Sequence, residues 1–243
     1  MRYAILCDIH SNLEALEEVL AEVARRGVDR IVHLGDCVGY NANPNECVEM
    51  LMSENITSIL GNHDAAACGL ENPQMFNSAA KQAVLWTRDK LKPKNKEYLG
   101  GLPETLPLDG TVLLSHGSPE TRDNYILDQM DAMRQFGVME EMGINICFHG
   151  HSHFPSLFVF RGPEHDIGNH GKHILDKNNS YLVNFGALGQ PRDGDPRTCF
   201  GIFDSDEMSV EFFRLKYDVL KAAGKIEGAG LDTYLIERLA AGV

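Results

Sequence analysis

Asp8, His10, Asp36, Asn62, His116, His151 and His153 are all side chains that bind metals, and each stands just beyond a short apolar run. The runs are Tyr3 to Cys7, Ile31 to Leu34, Ile56 to Leu60, Val112 to Leu114 and Ile144 to Phe148. Each is short and aliphatic or β-branched enough to read as a buried strand. Two carboxylates, four imidazoles and one amide, without a thiolate, suit borderline divalent ions (Mn, Fe, Co, Ni or Zn) better than Ca or Mg. Seven donors exceed the needs of one tetrahedral ion. A shared carboxylate would hold two ions roughly 3.5–4 Å apart, the spacing of two-metal hydrolytic sites, and Asp36 is the expected bridge.

Such donors meet only if the strands bring them together. In an open α/β sheet the carboxyl ends of the strands face one crevice, which collects residues far apart in sequence. Asp8 and His10 are two apart, as are His151 and His153. If the chain is extended there, both members of a pair point the same way, so each pair can clamp one ion. Between the strands, Ser11-Asn12-Leu13-Glu14 reads as a capping box that opens a helix, with Leu13, Leu16, Leu20 and Val23 along one side until Gly27 ends it. Pro44 suits the first turn of a second helix near residues 44 to 53, and Asn77 to Leu91 reads as another. A strand near Val210 to Leu215 and helical stretches at 216–224 and 230–241 carry no chemical signal, and read as packing or a dimer surface.

Composition narrows the function classes. The 243 residues, 43% hydrophobic, can bury one large core, so a single domain over 1–243 is expected. Met1-Arg2-Tyr3 leads straight into the first strand and no apolar stretch is long enough to span a bilayer, which points to a cytoplasmic protein without a membrane partner. Cys7, Cys37, Cys47, Cys68, Cys147 and Cys199 form no C-x-x-C pair and read as free thiols, with Cys7 and Cys37 as buried hydrophobes. A net charge of −13 makes nucleic acid an unlikely partner, because proteins that grip its phosphates display basic patches.

The order Asp8-Ile9-His10-Ser11-Asn12, Gly35-Asp36, Gly61-Asn62-His63-Asp64, His116 and Gly150-His151-Ser152-His153 resembles the calcineurin-like metallophosphoesterase superfamily. The five motifs cover roughly residues 1 to 200, and the likeness extends to small prokaryotic phosphodiesterases through Gly189-Gln190-Pro191-Arg192-Asp193. The resemblance implies an α/β (α+β) fold, a two-layer β-sandwich flanked by helices in four αββα layers, with a dinuclear site that hydrolyses phosphoesters. By motif position one ion, manganese or a neighbour of it, would take Asp8, His10, Asp36 and His153, and the second Asp36, Asn62, His116 and His151. His63 would face the phosphate as an acid or charge stabiliser, with Asp64 orienting it. Two divalent ions, less the charges of Asp8, Asp36 and a bridging hydroxide, would leave the site net positive toward a phosphate.

Other residues acquire expected roles around this frame. Asn12 reads either as a partner of the metal ligands or as a first-turn residue, and Tyr40 and Asn41, within residues 39 to 43, as part of a lip of the cleft. That stretch lacks the Asp and Arg of protein serine/threonine phosphatases, and Tyr40 is four residues after Asp36 where purple acid phosphatases have three. Asn184 to Gly189 resembles a family turn with Ala187 where serine is common, and Arg192 could clamp a phosphate bidentately. His33 and His149 read as core histidines, while His165, His170 and His173 fall in a polar stretch from Arg161 to Ser180, expected to be a hairpin or loop beside the site. Loops 39–43, 65–80, 117–127 and 161–180 would shape the cleft. The expected function is hydrolysis of a small or nucleotide-like phosphoester, in a chain that could form homo-oligomers. A binding scaffold of the same fold would have lost ligands, and a nuclease would want a basic surface or an added DNA-binding domain; the sequence shows neither sign.

Overall fold

The computed structural model describes residues 1–160 and 171–243. In chain order the elements are β1 (Arg2–Leu6), α1 (Leu13–Arg26), β2 (Arg30–His33), α2 (Pro44–Ser53), β3 (Thr57–Ser58), α3 (Asn62–Cys68), α4 (Ser78–Lys90), α5 (Pro93–Gly100), β4 (Thr105–Asp109), β5 (Val112–Ser115), α6 (Gln129–Met142), β6 (Ile146–Phe148), β7 (Ser156–Phe160), β8 (Gly171–Ile174), β9 (Ser180–Asn184), β10 (Thr198–Asp204), β11 (Ser209–Leu215), α7 (Val219–Gly228) and α8 (Thr233–Ala241). They form a six-stranded sheet, β3-β2-β1-β10-β11-β8, and a five-stranded sheet, β4-β5-β6-β9-β7. Strands β1, β2 and β3 run parallel in the first sheet, and β5, β6 and β9 in the second.

Alternation along these strands explains the layers. Tyr3, Ile5 and Cys7 point between the sheets and meet Phe148, Val183 and Phe203, whereas Ala4 and Leu6 point outward under Leu16, Val19 and Val48 of α1 and α2. On the far side Leu113, Cys147 and Leu182 of the second sheet pack against Phe136 and Met139 of α6. Strands covered on both faces need apolar residues at every position, which is why the runs were continuous rather than alternating. The result is the expected helix–sheet–sheet–helix sandwich. No helix among the described residues is long and apolar enough to cross a membrane.

Several boundaries differ from expectation for local reasons. The run at Ile56 to Leu60 supplies only a two-residue strand, because β3 is the edge of its sheet and pairs on one side alone. The capping box does not form: Ser11 is left-handed (φ 58°), and Asn12 caps α1 by accepting from the Ala15 N–H at 3.2 Å. Glu14 instead meets Lys225 of α7 at 2.6 Å. The stretch expected as a hairpin or loop from Arg161 to Ser180 includes a strand, β8, which pairs with Ser209–Phe212 of β11. Register places His173 level with Val210, Phe203 and Tyr3, near the start of β1 and at the opposite end of the sheet from Asp8. His165 and His170 lie outside the described residues.

Candidate metal centre

All seven candidate ligands converge where the parallel strands of both sheets end, so two sheets rather than one open sheet enclose the crevice. Asp8 and His10 follow β1, Asp36 follows β2, Asn62 opens α3 after β3, His116 follows β5, and His151 and His153 follow β6. The turns that carry them are not extended. Asp8, His10, Asp36, His151 and His153 have φ values of 53°, 48°, 58°, 66° and 64°, in the left-handed region, as do their neighbours Ser11 and Tyr40. Each such residue costs about 1–3 kcal/mol and persists only where surrounding structure over-determines it. Here the backbone is laced across the turns, with Asp8 N–H donating to Gly35 O, His10 N–H to Asp36 O and Gly189 N–H to Asp8 O.

The left-handed turns overrule the expectation that each sequence pair clamps one ion. Asp8, His10 and His153 form one cluster, and Asp36, His116 and His151 another, so the His151 and His153 pair is divided between them. A third overlapping group, His10, Asp36 and His63, spans the gap, with its ligand atoms within 4.8 Å of one another. Motif position divides His151 from His153 in the same way, although Asp36 is grouped with His10 and His63 rather than with Asp8. Asn62 belongs with the second cluster, its Oδ1 lying 3.0 Å from His116 Nε2.

Hydrogen bonding prepares these rings as ligands. His10 Nδ1 lies 3.0 Å from Val38 O, His116 Nδ1 2.8 Å from Leu34 O, and His153 Nδ1 against Gln190 O. A carbonyl only accepts, so each Nδ1 carries a hydrogen; in His10 and His153 the Nε2 lone pair is then free to turn inward, while His116 Nε2 faces the Asp36 carboxylate. His10 Nε2 and His153 Nε2 then face each other at 3.1 Å, with no hydrogen of their own to place between them. Two nitrogens at that spacing fit the edge of one ion's coordination shell at about 2.0–2.1 Å from each. The donor set therefore suits divalent ions of the borderline class.

Asp36 is the hinge of the arrangement. One carboxylate oxygen accepts the His63 N–H at 2.8 Å, while the other lies 3.6 Å from His10 Nε2 and 3.4 Å from His116 Nε2. Gly61 makes the approach possible, because a Cβ there would fall 2.1 Å from Asp36 Oδ1. Burial alone would push the Asp36 carboxyl up, but His116, followed by His63 and His10, outweighs it and holds the group well below the carboxylate range. Burial likewise disfavours a charged His116, yet Asp36 holds its ring proton up to about 10. Asp8, buried and facing Asp36, is pushed up to about 7, while burial lowers His151 to about 3.

A consequence is that metal uptake displaces protons. Asp36 favours a proton on His116, so binding through its Nε2 is expected to release protons, to which Asp8, raised by burial, adds. Affinity then falls as pH falls, because protons and metal compete for the same atoms. Calorimetric titration in buffers of different ionisation enthalpy measures the release, and uptake at pH 7 without it would exclude His116 as a ligand.

The remaining expected residues sort differently. His63 packs among Tyr40, Phe76 and His10 in tilted or edge-on contacts, with centroids 4.6, 4.7 and 4.8 Å away. Its Nδ1 is buried without a partner, and burial lowers its pKa to about 4. Asp64 does not orient it. The Asp64 carboxylate accepts the N–H groups of Cys37, Val38 and Gly61, and so shapes the turn that carries Asp36. Tyr40 and Asn41 are buried rather than part of a lip, with Asn41 Nδ2 donating to His10 O and Gly189 O. Asn12 Nδ2 also reaches Gly189 O, so both asparagines brace the turns behind the ligands. Arg192 donates to the Tyr40 hydroxyl at 3.2 Å. His33 and His149 are fully buried, neutral by desolvation, and outside every ligand cluster among the described residues.

Sequence reasoning missed Tyr125. Its ring stacks on His151 at 4.0 Å and 19°, and remains 47% exposed at the mouth of the centre. Nothing in a polar loop with one tyrosine marks it, since its position depends on Arg122, buried in the same loop and paired with Glu71 and Glu104. Phe76, ahead of α4, was missed for the same reason.

Comparison with known proteins agrees with this geometry. The family model of the calcineurin-like phosphoesterase superfamily domain matches residues 1–208. An uncharacterised protein of Methanocaldococcus jannaschii is 39% identical over 242 residues, covering 97% of this chain and 96% of its own. The crystal structure of a metallophosphoesterase from Sphaerobacter thermophilus is 36% identical with a TM-score of 0.87, covering 100% of this chain and 99% of that one. A hypothetical protein from Pyrococcus horikoshii OT3 shares the fold at 20% identity and a TM-score of 0.81, covering 100% and 98%. Family, fold and buried Asp/His clusters together imply a metal-dependent hydrolase of phosphoesters. The chain belongs to the calcineurin-like phosphoesterase superfamily.

Proposed function

We propose that this protein is a two-metal phosphodiesterase or phosphatase acting on a small or nucleotide-like phosphoester. The observation that carries this reading is Asp36, whose one oxygen lies within reach of both His10 and His116 and so joins two clusters of donors. One ion would be held by Asp8, His10, Asp36 and His153, the other by Asp36, Asn62, His116 and His151. Mn, Fe, Co, Ni and Zn all suit these donors. When bound, such ions supply Lewis-acid pull on the phosphate and a water of lowered pKa.

The chain's own groups do the rest. His63 has a ring nitrogen within 4.8 Å of both an Asp36 oxygen and a His10 nitrogen, so it borders the space where phosphate oxygens would lie. A neutral ring still offers one N–H to an oxygen, and a bound phosphate raises its proton affinity enough for it to serve a departing alkoxide. Arg192 adds a positive charge beside Tyr40 without entering either cluster. Tyr125 offers a flat apolar surface on which a substrate ring can stack.

The test is a metal-dependence screen against bis(p-nitrophenyl) phosphate, p-nitrophenyl phosphate and a panel of nucleotides, with elemental analysis of the same samples. Two ions per chain and turnover of at least one ester are expected. A fully loaded, active sample with one ion overturns the shared-carboxylate reading, and a loaded but inert one overturns the hydrolase reading.

A further inference from the structure

The C-terminal helix α8 showed no chemical signal in sequence, yet it carries a side chain to the edge of the centre. Arg238 lies with its guanidinium carbon 5.9 Å from the centroid of the Tyr40 ring and 5.6 Å from that of Tyr234. The same Tyr40 takes the hydrogen bond from Arg192, and its ring packs at 4.6 Å against both His10 and His63. Two guanidinium groups are thus gathered on one phenol, a single ring away from the metal-facing histidines.

What these arginines lack, among the described residues, is an Asp or Glu side chain, in a chain with 35 acidic residues against 22 basic ones. Arg122, Arg197 and Arg214 each meet a carboxylate. Asp193 and Asp195, next to Arg192 in sequence, turn to Arg214 and Arg197. Neither Arg192 nor Arg238 makes an ion pair with an Asp or Glu among the described residues. Arg192 Nε is buried without a partner, and Arg238 Nε donates to a main-chain oxygen of Val243, the last residue, at 2.6 Å, leaving its two terminal nitrogens toward Tyr40. Placing two like charges together, half-buried, is unfavourable, and burial together with Arg192 lowers the pKa of Arg238. An anion relieves both costs, and a planar guanidinium matches phosphate oxygens in pairs.

Resting on the hydrolase reading above, we propose that Arg192 and Arg238, gathered on Tyr40, form a subsite for a second phosphate of the substrate. The preferred substrates then carry a phosphate adjacent to the one hydrolysed, as nucleoside diphosphates do: water adds its oxygen to the terminal phosphorus, the bridging phosphoanhydride P–O bond breaks, and inorganic phosphate and the nucleoside monophosphate, which keeps the bridging oxygen, are the products. The scissile phosphate belongs at the clustered donors, and the Tyr40 ring sets the distance from there to the arginines.

The test compares the native chain with Arg238→Gln and Arg238→Lys in metal-loaded form. The readout is the ratio of kcat/KM for adenosine 5′-diphosphate, which has a second phosphate, to that for bis(p-nitrophenyl) phosphate, which has none. The ratio is expected to fall roughly 10- to 100-fold in Arg238→Gln, chiefly through KM, the loss that a charged hydrogen bond predicts. Arg238→Lys should recover part of it. A helix merely destabilised by the substitution lowers both substrates and leaves the ratio alone, which overturns the proposal, as does bis(p-nitrophenyl) phosphate turnover without any for the diphosphate. If neither compound is hydrolysed, the hydrolase reading fails by itself. Calorimetric binding of adenosine 5′-diphosphate then decides the subsite: at least tenfold weaker binding in Arg238→Gln supports it, and equal binding overturns it.

Discussion

Asp36→Asn is expected to strip both clusters of metal at once and to lower kcat/KM by roughly 10³ or more, the scale on which electrostatic groups at such centres act. The substitution isolates charge from shape. Asparagine tolerates the left-handed backbone that Asp36 adopts at φ 58°, and its amide oxygen can still accept the His63 N–H. What disappears is the negative charge facing His10 at 3.6 Å and His116 at 3.4 Å. The His116 proton, held up to about 10 by Asp36, would fall toward the ordinary histidine range, an independent sign that the pairing has gone. Asn62→Ala serves as the contrast, because Asn62 touches only the His116 side and should weaken mainly one ion. Elemental analysis of both variants, with the fold checked by circular dichroism, measures this. Loss of a single ion in Asp36→Asn would show that the carboxylate is not shared.

His63→Gln is expected to keep both ions and yet lower kcat by roughly 10²–10⁴, the range for a positioned acid or base. Burial holds His63 down to about 4, so in the absence of substrate it is neutral at pH 7. Its Nδ1 has no partner, and Gly39 leaves it room, since a Cβ there would fall 2.5 Å from that nitrogen. An acid role therefore depends on a phosphate arriving to raise its proton affinity, and the leaving group reveals whether that happens. A p-nitrophenolate departs with little protonation and should lose least, whereas a nucleoside ester leaves as a far more basic alkoxide and should lose most. Equal losses for both would make His63 a charge stabiliser or positioning group, and a missing ion would make it a ligand, as its proximity to His10 and Asp36 allows.

The identity of the candidate metal ligands was legible in sequence because each follows a run whose burial on both faces leaves a local signature. Tyr3 to Cys7 had to be a covered strand, and Asp8 is simply the next residue. Helix limits were readable where local chemistry dictates them, as with Pro44 opening α2 and Gly27 ending α1 in the left-handed conformation. Side-chain direction beyond the strand ends was not readable. Strand periodicity holds only while the backbone is extended, and at the left-handed turns it no longer predicts direction: Asp8 and His10 share a cluster, whereas His151 and His153 do not. Asp64 was misread for a related reason: adjacency to His63 says nothing of where a carboxylate at the start of a helix finds its donors, and it finds them in the turn after Asp36. Tyr125, Phe76 and Arg238 were invisible because no short-range pattern marks them. The sequence by itself determined which candidate donors stand at the strand ends and that the sheets hold them. Packing of α8, α4 and the 117–127 loop around Tyr40 and His151, contacts between residues up to about 200 positions apart, decided what else faces the centre, since those contacts exist only once the layers have closed.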